Sequence, residues 1–268
     1  MALMSYTAFN TSNLEFSFGP AFLRDITQQY NLPTVSANIV YTDTGEPVSA
    51  PSRIVPFETF TAGITGVVGK KYEKIILESS AGTARPVSVL DEMSALREQV
   101  AALRGSVDVL IVLANAGVER AKEIAQQLPD IDVIVCGHGS EEIKSPYHIN
   151  GVNIVKAGYD GNSAGKLTLS LDRNYRIIDA QGSIIALQKD VAEDKEVIGL
   201  LDAYHQRLKD HADELFTGEQ VEPPTGGSYT GSAACSGCHQ GQSQQWRTTA
   251  HAMAFDSLEY KNQEYDPE

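Results

Sequence analysis

Between residues 91 and 136 the apolar positions change period three times, and each change marks an element. Met93, Leu96, Val100 and Leu103 follow helical spacing, with Gly105 placed as a stop. Residues 107–113 (Val-Asp-Val-Leu-Ile-Val-Leu) are almost wholly apolar and β-branched, which suits a strand buried on both faces. Val118, Ala121, Ile124, Ala125 and Leu128 return to helical spacing, and residues 131–136 read as a second buried strand. Strand, helix and strand at this spacing predict two adjacent parallel strands joined by a right-handed crossover.

The pattern elsewhere is shorter-ranged. Residues 20–30 read as a helix with Pro20 in its first turn. Residues 34–40, 53–60, 63–69, 151–157, 166–171 and 175–187 read as strands. The fold class is therefore α/β, an α+β sandwich rather than a bundle. Asp190, with Glu193 three positions on, resembles a capping box. Behind it Val197, Ile198, Leu201, Tyr204, Leu208, Ala212 and Leu215 form one apolar face, and Gly218 suits the stop. The run Glu222-Pro223-Pro224-Thr225-Gly226-Gly227-Ser228 is a linker by composition. The expected organisation is a domain over residues 1–189, a connecting helix over 190–218, a linker over 219–228 and a small module over 229–268.

Composition narrows the functional classes. With 268 residues, 42% of them hydrophobic, the chain can bury a real core. A net charge of −14 argues against nucleic acid and anionic membrane surfaces as partners. No apolar run approaches the length of a membrane span. Three cysteines exclude a dense disulfide framework. Cys136, at the end of a buried strand, reads as an inert core thiol, and His205 and His211 as solvated helix residues. No phosphate-binding loop, dinucleotide fingerprint, serine-hydrolase elbow or solenoid repeat is present.

The sharpest chemical signal is Cys235-Ser236-Gly237-Cys238-His239. C-x-x-C-H is the attachment signature of a c-type haem: the thiols of Cys235 and Cys238 bond the haem vinyl groups, and His239 takes an axial position on iron. A zinc knuckle is the competing reading, but zinc takes four nitrogen or sulfur ligands and the remaining cysteine, Cys136, lies far away in a buried strand. The segment that follows, Gln244-Gln245-Trp246 and then His251-Ala252-Met253-Ala254-Phe255, resembles the start of a multihaem cytochrome c module of the c-554 type. That resemblance implies haem c as cofactor and His251 as a further iron ligand, with Met253 an alternative. It places a second attachment motif near Asp266-Pro267-Glu268, so the chain is expected to be cut within its module. Residues 1–6 lack the basic and apolar regions of a signal peptide. Haem attachment follows export, so the expectation is a periplasmic or extracellular protein whose signal lies upstream of Met1.

A second resemblance spans roughly residues 5–190. Ile131-Asp132-Val133-Ile134-Val135-Cys136-Gly137-His138-Gly139-Ser140 is similar to the strand-to-loop G-H-x-H of the calcineurin-like metallophosphoesterases, in their 5′-nucleotidase branch. Residues 107–117 resemble the strand that ends in an S-H-x-G loop, and Tyr6-Thr7-Ala8-Phe9-Asn10-Thr11-Ser12-Asn13-Leu14-Glu15-Phe16-Ser17-Phe18-Gly19 the loop G-N-H-E-F-D-x-G. Asn38 and Ala157-Gly158-Tyr159-Asp160-Gly161 also fit. The resemblance implies a metallophosphoesterase-like four-layer fold, here lacking its N-terminal part, plus a small C-terminal haem-binding segment.

It also implies a divalent metal pair, about 3.5–4 Å apart, that polarises a phosphoryl group and supplies hydroxide. The family's ligands map onto Asn13, Asn115 and His138. Asn115 and Ser140 stand where the family uses histidine, and Leu14 replaces the catalytic histidine. The family's D-x-H and G-D segments would precede Met1. Asn13, Asn115 and His138 are neutral, and no carboxylate offsets the cations' charge, so they form a vestigial set that is not expected to hold the metals, and no catalytic residue is assigned. In 5′-nucleotidases a nucleotide-binding domain follows the connecting helix; here the cytochrome segment takes its place, so nothing supports nucleotide binding. The expected function is an exported electron-transfer protein with redox partner proteins, its phosphoesterase domain a scaffold or docking domain. The alternatives are a hydrolase completed by ligands from outside this chain and a non-catalytic anion- or partner-binding module.

Overall fold

In a computed structural model, residues 2–189, 191–211 and 231–261 are described. They fall into two compact units, 1–191 and 192–268.

The first unit is built on a six-stranded sheet. Its elements in chain order are β1 (Phe9–Asn10), α1 (Gly19–Gln29), β2 (Thr34–Val35), β3 (Ile39–Tyr41), β4 (Ser52–Pro56), β5 (Thr61–Val68), α2 (Glu73–Ser80), β6 (Val87–Val89), α3 (Glu92–Leu103), β7 (Val109–Asn115), α4 (Val118–Gln127), β8 (Val133–Cys136), β9 (Tyr147–Ile149), β10 (Val152–Val155), β11 (Ser163–Leu171) and β12 (Ile177–Ala186). The sheet order is β4-β5-β7-β8-β10-β9. Strands β5, β7, β8 and β10 run parallel, and β4 and β9 flank them antiparallel. The predicted strand–helix–strand unit is present: Ile111 faces Val133 and Leu113 faces Val135 across the parallel pair, with α4 as the connection.

Successive residues of a strand point to opposite faces, and the adjacent pair Val67 and Val68 shows what each face buries. Val67 belongs to a cluster with Leu96 and Val100 of α3, Ile124 of α4, and Leu110, Ile134 and Ile154 of the sheet. Val68 belongs to a second cluster with Phe16, Leu23 of α1, Ile76 of α2, and Ile39 and Val89. Three two-stranded pairings complete the unit: β1 with β2, β3 with β6, and β11 with β12. Between the sheet and the β11–β12 hairpin lies an apolar cavity of about 400 Å³, lined by Ile111, Val133, Val135, Leu167, Leu169 and Ile184.

Several expected elements differ. The strand over 34–40 is broken in two, because fully buried Asn38 substitutes side-chain hydrogen bonds for a ladder. Its Nδ2 donates to Val68 O at 2.8 Å and Leu90 O at 3.1 Å, and its Oδ1 accepts from Val68 N at 3.0 Å. The strand over 53–60 ends at Pro56, and Phe57 and Phe60 stack in the turn.

In the second unit, α5 (Lys195–Asp210) starts later than expected. Asp194 is its cap, accepting from Glu196 N at 2.9 Å and Val197 N at 3.2 Å; Asp190, Ala212, Leu215, Gly218 and the linker lie outside the described residues. No side chain of α5 is buried, and Leu201 and Tyr204 of its apolar face are exposed. Among the described residues three short helices follow, α6 (Ser232–Ser236), α7 (Gln240–Arg247) and α8 (Ala254–Tyr260). Among the described residues no helix is long and apolar enough to cross a membrane.

Candidate functional sites

The C-terminal ends of the parallel strands bring the first group together. Asn115 ends β7, and Gly137 and His138 follow β8. Gly137 N donates to Ala114 O at 2.8 Å, so the two strand ends leave side by side. A Cβ on Gly137 would stand 3.1 Å from Asn115 Oδ1, which explains a glycine there. Asn13 arrives from the loop after β1, held by the turn Leu14–Phe16, whose Phe16 is fully buried. Asn115 Nδ2 donates to Asn13 Oδ1 at 2.8 Å. Glu15 Oε2 accepts from Ser12 N at 2.9 Å and Ser12 Oγ at 2.8 Å, closing the same loop on itself. A cleft of about 240 Å³ lies here, lined by Asn10, Ser12, Glu15, Asn115 and Gly137.

His138 does not join the two asparagines through any hydrogen bond recorded among the described residues. It adopts a left-handed backbone, φ 66°, and its ring lies against that of Tyr72, tilted by 44° with centroids 3.9 Å apart. Its loop is held by Lys156, which is buried. Lys156 Nζ donates to Gly139 O and, at 2.8 Å, to Glu141 O. This clamp was not read from the sequence; the only signal was a lysine at the end of a β-branched run. Ser140 and Leu14 are both exposed. Cys136 is buried, and burial pushes its thiol up to about 12.

The donor set does not fit a metal pair. The Asn13 carbonyl oxygen already accepts from Asn115, the His138 ring lies against Tyr72, and no group of three or more His, Cys, Asp or Glu converges among the described residues.

The second group is a single helical turn. Cys235 lies in α6, and Cys238 N and His239 N both donate to Cys235 O, at 3.3 and 3.0 Å. The turn leads directly into α7, whose ladder opens with Ser243 N donating to His239 O at 2.9 Å. Both thiols are free and exposed. His251 is exposed in the 3₁₀ turn Ala250–Met253. Two accessible thiols one turn apart, with a histidine next to the second, fit covalent attachment of a haem. The same helices bury no side chain, so a cofactor has open apolar surface to cover.

Both parts of the chain resemble known proteins. The first unit has the fold of the calcineurin-like metallophosphoesterases. A calcineurin-like phosphoesterase of Bacillus subtilis superposes with a TM-score of 0.65 at 24% identity, covering 77% of this chain and 71% of that one. A 5′-nucleotidase precursor of Thermus thermophilus gives 0.64 at 24% identity, over 77% of this chain and 44% of that one. In sequence, the 5′-nucleotidase of Bos taurus is 27% identical over 235 residues, 79% of this chain and 40% of its own length. The relatives and structural neighbours of this part are thus 5′-nucleotidases, apyrases and calcineurin-like phosphoesterases. The chain spans about two-fifths of the length of the curated relatives it matches. Residues 234–268 match the family model of cytochrome c554 and c-prime.

Proposed function

We propose that this chain is part of an exported electron-transfer protein, in which a c-type haem on Cys235 and Cys238 is the working group and the phosphoesterase-fold domain is a scaffold or docking domain for redox partner proteins. The observation that carries the reading is the coincidence of the C-x-x-C-H turn, both thiols exposed, with the cytochrome family match over 234–268. When bound, the haem supplies one-electron chemistry at its iron. This chain's contribution is to tether the cofactor through Cys235 and Cys238, to ligate iron through His239, and to offer His251 or Met253 as a further ligand. Covalent attachment after export places the protein in the periplasm or outside the cell.

Loss of hydrolysis belongs to the same reading. Leu14 cannot donate a proton to a leaving group, Asn115 and Ser140 offer weaker ligands than imidazole, and Asn115 donates a hydrogen bond to Asn13. The second reading is a phosphoesterase completed by ligands from outside this chain. It is favoured by the relatives, which are 5′-nucleotidases and apyrases more than twice as long.

Two measurements decide. The full chain, exported behind a signal peptide with a cytochrome maturation system, is expected to carry a covalent haem by mass spectrometry. An absent adduct, or one that survives joint Cys235→Ala and Cys238→Ala substitution, overturns the cytochrome reading. The purified chain is expected to show negligible turnover of an aryl phosphate with manganese, zinc or magnesium. Metal-dependent turnover abolished by His138→Ala moves the assignment to the second reading.

A further inference from the structure

The described C-terminal helices have side chains suited to a core and no core. No residue of α6, α7, α8 or the turn Ala250–Met253 is buried. Trp246 stands 54% exposed, Phe255 57% and Leu258 40%. Trp246 is the only tryptophan of the chain. Large apolar side chains left in water on short helices offset none of the entropy of ordering them.

Their placement is regular. The α7 ladder opens at the carbonyl of His239, and Trp246 follows seven positions on, two turns along the same helix face. His251 sits in the 3₁₀ turn that runs into α8, with Phe255 four and Leu258 seven positions on. Each histidine expected to reach iron therefore heads an exposed apolar stripe. The thiols that fix the cofactor lie within one turn of the first stripe, so the tether and the apolar surface belong to one site.

We infer that Trp246 packs against the haem held by Cys235 and Cys238, and that Phe255 and Leu258 form a second apolar cover, so that the cofactor is the core of this segment. This rests on the cytochrome reading above. A haem partly covered by an indole is less exposed to water, and exclusion of water disfavours the more highly charged ferric state. The contact therefore tunes the reduction potential as well as the stability.

The test uses the full matured chain and its Trp246→Ala, Trp246→Phe, Leu258→Ala and Tyr260→Ala variants. Tyr260 is 92% exposed and lies on neither stripe, so it serves as the control. Adduct mass is measured first, then the midpoint potential by spectroelectrochemical titration. The expected result is a lower midpoint in Trp246→Ala, a midpoint near the parent's in Trp246→Phe, a smaller shift in the same direction in Leu258→Ala, and none in Tyr260→Ala. A haem-loaded Trp246→Ala chain with the parent's midpoint overturns the inference and leaves the cytochrome reading intact. A parent chain without adduct overturns that reading instead. If Trp246→Ala accumulates no loaded chain, Leu258→Ala carries the decision: a midpoint as unshifted as that of Tyr260→Ala overturns the inference.

Discussion

Helices α4 and α7 are close in length and opposite in consequence. Helix α4 buries Val118, Ala121, Ile124 and Ala125 against β8 and β10, whereas α7 buries nothing and leaves its one large apolar residue, Trp246, in water. Local helix formation is satisfied in both. What differs is where the opposing surface comes from: for α4 it is the sheet encoded next to it, and for α7 nothing within the described residues supplies it. An element's sequence can specify its backbone while its core is supplied by something else.

The comparison is broken or sharpened most by truncating one side chain on each side of it. Ile134 is fully buried in the centre of the sheet, so Ile134→Ala is expected to cost about 3 kcal/mol by urea unfolding, from lost transfer energy and a residual cavity. Trp246→Ala in the chain made without haem is expected to change stability by no more than about 0.5 kcal/mol, as for an ordinary surface substitution. A haem-free Trp246→Ala chain destabilised as much as Ile134→Ala would show that α7 has a protein core after all.

The same contrast explains what could be read from the sequence. The β7–α4–β8 unit was legible because its apolar period switches cleanly and its strands are β-branched throughout. Helix α2 and strands β6 and β9 were missed: each is short, and β6 is specified by pairing with β3 far away in the chain rather than by its own pattern. Asn38 looked like part of a strand because its hydrogen bonds to Val68 and Leu90 are non-local. At the site, motif order singled out Asn13, Asn115 and His138. The hydrogen bond between the asparagines, the tilted ring contact of His138 with Tyr72 and the Lys156 clamp were not visible, because each joins segments distant in sequence. The apolar face of α5 is unburied for the reason that separates α7 from α4: amphipathic spacing states what a helix could bury, not what is there to bury it.

Thiol chemistry gives a second contrast. Cys136 is buried with its thiol pushed up to about 12, above its ordinary value, so it stays protonated at neutral pH and inaccessible. Cys235 and Cys238 are exposed. A haem-free native chain treated with an aromatic disulfide reagent at neutral pH is expected to release signal rapidly from these two, with Cys136 responding only on denaturation. Because the raised value favours the neutral thiol, the folded first unit loses stability relative to the unfolded chain as pH rises above the ordinary thiol value. Rapid native modification of Cys136 in a Cys235→Ser, Cys238→Ser chain would contradict the buried assignment.

The smallest effect distinguishes two helix caps. Asp91 caps α3, accepting from Ser94 N at 2.8 Å and Ser94 Oγ at 2.7 Å, and Asp194 caps α5. Helix α3 is anchored in the core through Met93, Leu96, Val100 and Leu103, so fraying its first turn is coupled to unfolding of the whole unit. Asp91→Ala is expected to cost about 1 kcal/mol of the first unit's stability. Asp194→Ala caps a helix with no buried side chain, so it is expected to reduce helicity by circular dichroism without moving that unit's unfolding midpoint. The hydrogen bond from the Ser94 side chain, with a further one from its backbone, holds the Asp91 carboxyl below the usual carboxylate range. The stabilisation is therefore complete above the ordinary carboxylate value and fades as pH falls through the lowered one. Asparagine caps as well as aspartate but does not titrate, so Asp91→Asn should keep most of the stability at neutral pH and lose this part of the acid sensitivity. Equal midpoint shifts from Asp91→Ala and Asp194→Ala would mean that α5 is packed as firmly as α3, and the contrast between the two units would not hold.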